Sequence, residues 1–172
     1  MKGFLREIII TVGLALVIFL VLQTTIQSSI VLGSSMEPNL QEGQRLIINK
    51  AVYHFRTPER GDIIILHPPI DPQKEYVKRV IGLPGDTVQV HSGKVLVNGT
   101  ALVEPYIKSA PTYEMPAVVV PPNSYFVLGD NRNNSNDSHE GWVVSGGGIV
   151  GEGWFRIWPM NDIGTLRGFL GS

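Results

Sequence analysis

The chain has 172 residues, with 14 Lys and Arg against 15 Asp and Glu and a net charge of −1 at pH 7. That length suits one domain with a proper core, and so balanced a charge offers no field for collecting nucleic acid or another polyanion. With no cysteine, a disulfide framework, a thiolate nucleophile, a cysteine zinc site and an iron–sulfur cluster are excluded together.

From Ile8 to Leu22 no residue is charged. Gln23 to Ile26 extends this run to roughly the 20 residues that a membrane-spanning helix needs. Lys2 and Arg6 precede it, and the first charge after it is Glu37. The positive-inside rule therefore predicts a single-pass protein of the plasma or inner membrane: a cytoplasmic N-terminus at 1–7, a transmembrane signal-anchor helix at 8–26, and an extracytoplasmic domain over 27–172. A removable signal peptide shares the basic-then-apolar pattern. Val31, Leu32 and Gly33 make a poor small-x-small cleavage site, which favours an uncleaved anchor.

Beyond Ser35 the pattern turns to period two and short apolar runs, predicting strands over 45–49, 62–66, 75–81, 87–91, 94–98, 117–120, 125–128 and 149–157. The 19 glycines and 12 prolines suit many tight turns. Ser92-Gly93 predicts a hairpin turn with Val90 facing Val95. No helical stripe follows the anchor, so the expected fold class is mainly β, a single N-terminal transmembrane helix followed by an antiparallel β-sheet. The stretch from about 100 to 122, rich in Pro and Tyr, reads as a peripheral insert or loop. The tail from Gly164 to Ser172 is too short and too broken by glycine to span a membrane again.

Two segments bring a serine and a lysine into play: Gly33-Ser34-Ser35-Met36-Glu37-Pro38-Asn39, just past the apolar run, and Tyr76 to Asp86. Lysine is the one common side chain besides histidine that can serve a serine as general base, once its charge is removed. No G-x-S-x-G elbow is present and no serine stands three residues before a lysine, which disfavours α/β-hydrolase and S-x-x-K chemistry. His54, His67, His91 and His139 are too dispersed for a metal site, and no metal or other cofactor is expected. Asp137 and His139 flank Ser138 closely enough to suggest a triad, but in this polar loop they read as turn residues.

Four boxes occur in order: Ser35-Met36-Glu37-Pro38-Asn39-Leu40, Arg60-Gly61-Asp62-Ile63, Lys78-Arg79-Val80-Ile81-Gly82-Leu83-Pro84-Gly85-Asp86, and Gly129-Asp130-Asn131-Arg132-Asn133-Asn134-Ser135-Asn136-Asp137-Ser138. Together they resemble the boxes of type I signal peptidases, from Ser35 to about Trp142. The resemblance implies a partly open β-barrel catalytic domain and a serine endopeptidase that removes N-terminal signal peptides from secretory preproteins at Ala-x-Ala sites. By it, Ser35 is the nucleophile of an acyl-enzyme mechanism and Lys78 the general base. Ser135 orients the Lys78 amine, and Arg79 and Asp130 form a structural ion pair, with Arg132 and Asp137 in the same brace. Burial beside Val77 and Val80 would lower the lysine pKa from about 10.4 to about 8, at a cost of roughly 3 kcal/mol.

Adjacency to Ser35 and Lys78 makes Val31, Met36 and Val77 the predicted walls of the substrate pocket. Ser35 lies about ten residues past the apolar run, which keeps the site near the outer membrane surface. The expected partners are secretory preproteins and membrane lipid, with no nucleic acid and no metal. The chain departs from the usual pattern at Gly33, where many members have a serine that assists the oxyanion, and at Asn39, Asn133 and His139. Two other readings stand beside this one: a self-processing or regulatory Ser/Lys protease, and a non-enzymatic membrane-anchored β-domain that binds partners.

Overall fold

A computed structural model describes residues 2–166. Met1 of the expected cytoplasmic segment and residues 167–172 of the expected tail lie outside the described residues. Helix α1 runs Lys2–Thr25. Its stretch Arg6–Thr25 has a mean hydropathy of 2.5, and none of it is buried within the protein. A helix this apolar with nothing packed on it suits lipid rather than a protein core, and it is long enough to cross a membrane. The Thr24 and Thr25 hydroxyls donate back to Leu20 O and Val21 O at 3.0 and 2.7 Å, so both hydroxyls are paired within the apolar helix.

The helix stops one residue earlier than expected, because Ile26–Ile30 is strand β1. This strand pairs antiparallel with β2, Arg45–Asn49, over its whole length. Ile26-Gln27-Ser28-Ser29-Ile30 carries little strand propensity of its own, and the partner decides its state. The chain continues through β3 (Ile63–Leu66), β4 (Tyr76–Gly82), β5 (Thr87–His91), β6 (Lys94–Val97), β7 (Thr100–Ala101), β8 (Met115–Val119), β9 (Ser124–Leu128), β10 (Val144–Ser145), β11 (Ile149–Trp158) and β12 (Gly164–Thr165). Each predicted run is a strand, with ends shifted by one or two residues. The two-residue strands β7, β10 and β12 are too short to leave a periodic signal.

All pairings are antiparallel. The larger sheet runs β1-β2-β11-β3-β4-β9-β10, with β12 on β11, and the smaller runs β7-β6-β5-β8. The fold is therefore mainly β behind one apolar helix, as the residue pattern predicts. In the β5–β6 hairpin Val90 faces Val95, and Ser92 and Gly93 both take positive φ, 50° and 72°, as a type I′ turn requires.

The core has three patches. Ile81, Val88, Val90, Phe126 and Leu128 join the two sheets, while Ile64, Val80, Val127 and Trp142 fill the far end of the large one. Met36, Leu40, Leu46 and Ile63 hold the segment after β1 against β2 and β3. Strand β4 is the hub, because β3 and β9 flank it and the alternation of a strand sends Lys78 and Arg79 to opposite faces.

Candidate active site

After β1 the chain turns: Glu37 N donates to Ser34 O at 3.2 Å and Leu40 N to Met36 O at 2.9 Å. Buried Met36 and Leu40 pin this turn to the core. The loop after β9 grips it from the other side. Asn131 donates its backbone N–H to Ser35 O and its side-chain amide to Ser34 O, both at 3.0 Å. Asn134 Nδ2 donates to Ser34 Oγ at 2.9 Å. The Ser35 N–H has no acceptor among the described residues, which leaves it available to a ligand.

The same loop meets β4. Lys78 is only 3% exposed, and its Nζ donates to Ser135 Oγ at 2.9 Å. Burial pushes the ammonium down to about 8, against the pull of Asp137 and Asp130. Burial wins because both carboxylates are already engaged. Asp130 is held by Arg79 in a two-pronged pair, Nε to Oδ1 at 2.8 Å and Nη2 to Oδ2 at 2.7 Å, with both side chains buried. Asn39 Nδ2 also donates to Asp130, at 2.8 Å, and the Arg79 guanidinium lies 4.1 Å above the Tyr106 ring. Asp137 accepts from Gly129 N at 2.8 Å and contacts His139 Nδ1 at 2.7 Å.

Ser35 and Lys78 line one cavity of about 570 Å³, together with Val31, Met36, Val77 and Asn136. They share no hydrogen bond among the described residues. Such contacts commonly tighten only once substrate is bound. Two strand edges also face this cavity. Strand β1 has β2 on one side only, and Tyr76–Lys78 has β3 on one side while β9 pairing begins at Arg79. Among the described residues, no group of three or more His, Asp or Glu could hold a metal ion.

The signal peptidase model, peptidase S26, matches residues 3–158 of this chain. The chain belongs to the signal peptidase family. A signal peptidase I from Leptolyngbya laminosa is 45% identical over 94% of this chain and 84% of its own length. A probable signal peptidase I-1 from Synechocystis is 42% identical over 96% of this chain and 89% of its own. A solved signal peptidase I from Enterococcus faecalis V583 superposes with a TM-score of 0.49 at 31% identity, covering 56% of this chain and 97% of its own. Membership of the signal peptidase family makes this chain a serine endopeptidase.

Within this signal peptidase fold the residues singled out beforehand are brought together: Ser35, Lys78 and Ser135 by the turn, β4 and the loop, and Val31, Met36 and Val77 on the cavity wall. One expected contact is corrected. Arg132 does not join the Asp130 brace or pair with Asp137. It makes a buried two-pronged bond to Glu104, at 2.8 and 2.6 Å. Glu104 comes from the segment expected to be peripheral, where Tyr106 is buried as well. Nothing local in that Pro- and Tyr-rich stretch marks Glu104 as the partner. Ser138, the centre of the imagined triad, is buried with its Oγ accepting from Val127 N at 3.0 Å.

The sequence marks Asn39 only as a departure from the usual pattern and gives Asn131 and Asn136 no role of their own. Asn136 Oδ1 accepts from Trp142 Nε1 at 3.3 Å, and its amide nitrogen has no partner among the described residues. This leaves a free donor on a side chain that lines the cavity. Gly33 has φ +80°, a conformation in which a serine would be strained.

Gly129 is the tightest point of this candidate site. A Cβ there would overlap Ser35 O, Ser135 Oγ and Ser135 Cβ. Gly129→Ala is therefore expected to push both serines off their positions and to lower kcat by about 10²-fold or more, since shifts near 1 Å cost that much. Peptide cleavage by a variant whose melting temperature is measured in parallel checks this.

Proposed function

We propose that α1 anchors this chain in the plasma or inner membrane with its N-terminus cytoplasmic, and that the β domain cleaves signal peptides from exported preproteins on the outer face. Ser35 is the nucleophile and Lys78 its general base. The observation that carries this reading is a lysine held near pKa 8 by burial on the wall of the cavity that also holds Ser35.

In the reaction the neutral Nζ takes the proton from Ser35 Oγ as Oγ bonds to the scissile carbonyl carbon. The Ser35 N–H meets the developing oxyanion. Lys78 returns the proton to the leaving amine as the C–N bond breaks, and it then activates the water that releases the signal-peptide carboxylate. Ser135 accepts one N–H of Lys78, which aims the lone pair.

The substrate enters as an extended strand between the two free edges and takes backbone hydrogen bonds from both. Val31, Met36, Ile65 and Val77 on the cavity wall favour small apolar side chains and so a small-x-small site. Incubating the full chain with a preprotein carrying an Ala-x-Ala site tests the reading. The parent should release the mature protein, and Ser35→Ala and Lys78→Ala should not. Equal cutting by all three, or by none, sinks it.

The anchor should matter for membrane-held substrates only. No part of α1 from Arg6 onward is buried in the domain, so its removal exposes no core. A chain lacking residues 1–25 should cleave short soluble peptides at close to the parent rate and lose most of its activity on preproteins in vesicles. Equal loss on both would contradict the depth argument.

A further inference from the structure

A second cavity, of about 620 Å³, lies at the foot of α1, and its lining shares no residue with the cavity that holds Ser35 and Lys78. Its walls include Thr25, Lys50, Tyr53, His54, Phe55 and Ile149, and no acidic side chain lines it. Lys50 forms no ion pair among the described residues, although most of the domain's described lysines and arginines do. Phe55 beside it is 88% exposed.

These features fit one environment. If α1 spans the bilayer, its last residue, Thr25, lies where hydrocarbon gives way to headgroups, and the cavity opens at that depth. A lone ammonium, an imidazole and a tyrosine ring on one wall suit a phosphate headgroup. An exposed phenylalanine and an isoleucine suit the upper acyl chain beneath it. The last carbonyls of the helix bring partial negative charge to the same place. That opposition is reduced because Thr25 O already accepts the Lys50 backbone N–H at 2.8 Å.

We propose that this cavity is a binding site for one anionic phospholipid, with the phosphate on Lys50 and His54 and the acyl chain against Phe55 and Ile149. The inference rests on the reading of α1 as a membrane anchor and is otherwise independent of the peptidase chemistry. A bound lipid there would fix the domain's height and tilt on the membrane, because the site joins the anchor to β2 and β11.

Native mass spectrometry of the full chain, released from vesicles of dioleoyl phosphatidylcholine with or without dioleoyl phosphatidylglycerol, tests it. The parent should retain one phosphatidylglycerol in preference to phosphatidylcholine. A Lys50→Gln, His54→Gln double variant should retain phosphatidylglycerol about fivefold less, the worth of one near-surface cation, and Lys50→Arg should retain it fully. Short-peptide cleavage by the double variant should be unchanged.

Equal retention of both lipids by the parent overturns the site, as does unchanged retention in the double variant. A double variant that melts lower while keeping its lipid preference makes Lys50 a mere helix cap, and it too overturns the site. Displacement of the lipid by excess inorganic phosphate assigns the cavity to free phosphate instead. Flotation separates the two readings. A chain that floats with both vesicle types but shows no headgroup preference loses only the lipid site, whereas one that floats with neither loses the anchor as well.

Discussion

A Lys78→Met chain is expected to be inactive and yet more stable than the parent. Lys78 is 3% exposed, with its pKa lowered to about 8 from an ordinary 10.5. A base whose folded pKa lies below its unfolded value costs stability wherever the folded state must carry the charge. That cost is complete below about pH 8 and fades as pH rises toward 10.5, because over that window the unfolded chain binds more protons than the folded one. A shift of this size corresponds to about 3 kcal/mol at pH 7. An isosteric apolar side chain removes the cost and forfeits only the bond to Ser135 Oγ, worth about 1 kcal/mol.

The net gain should raise the melting temperature by several degrees, at about 2–4 °C per kcal/mol for a chain of this size. Peptide cleavage should fall by about 10⁴-fold or more, the scale seen when a catalytic base is removed. In the parent, kcat/KM should rise about tenfold per pH unit below pH 8 and level off above it. A flat profile between pH 6 and 9, or a Lys78→Met chain that melts lower than the parent, would mark Lys78 as a structural cation. Ser135→Ala should lower kcat by about tenfold to a hundredfold while leaving Ser35 in place.

The second large effect is expected at the Arg79–Asp130 pair, buried on both sides at 1% and 0% exposure. Breaking such a pair from either side leaves an uncompensated buried charge and costs about 3–5 kcal/mol. Arg79→Met and Asp130→Asn should both melt about 10 °C lower. Their pH profiles should part company. Without Arg79, the Asp130 carboxylate is unmasked and draws the Lys78 pKa upward, which moves the active limb to more alkaline pH. Without the Asp130 charge, that pull is lost and the limb moves to lower pH. Shifts in the same direction for both variants would show that the pair acts on Lys78 through position alone.

Much of this architecture was legible because it is written locally. Alternating runs name the strands, and Ser92-Gly93 names a hairpin whose register follows from its turn. The contacts that stayed hidden are those between distant segments with no local signature. Strand β1 has three polar residues in five and exists because β2 pairs with it. Glu104 looks like a loop residue until the fold sets it against Arg132, 28 positions away. Asn39 and Asn131 are ordinary turn residues by composition, and their work appears only when the segment after β1 and the loop after β9 come together. Asn136 likewise matters only because Trp142 turns its amide so that the donor side stays free.

The two unpaired edges beside the cavity bear on which proteins are safe from this enzyme. Free sheet edges ordinarily invite other sheets to dock and so promote aggregation. Here they face each other across a cleft of about 570 Å³, the size of a small-molecule pocket. A folded protein cannot bring an edge strand into so small a space without first detaching it from its own sheet. Selection between precursor and mature protein is therefore partly one of foldedness. A secreted domain that has already folded hides its backbone, and near-cognate small-residue sequences on its surface stay uncut without any need for a sharper pocket.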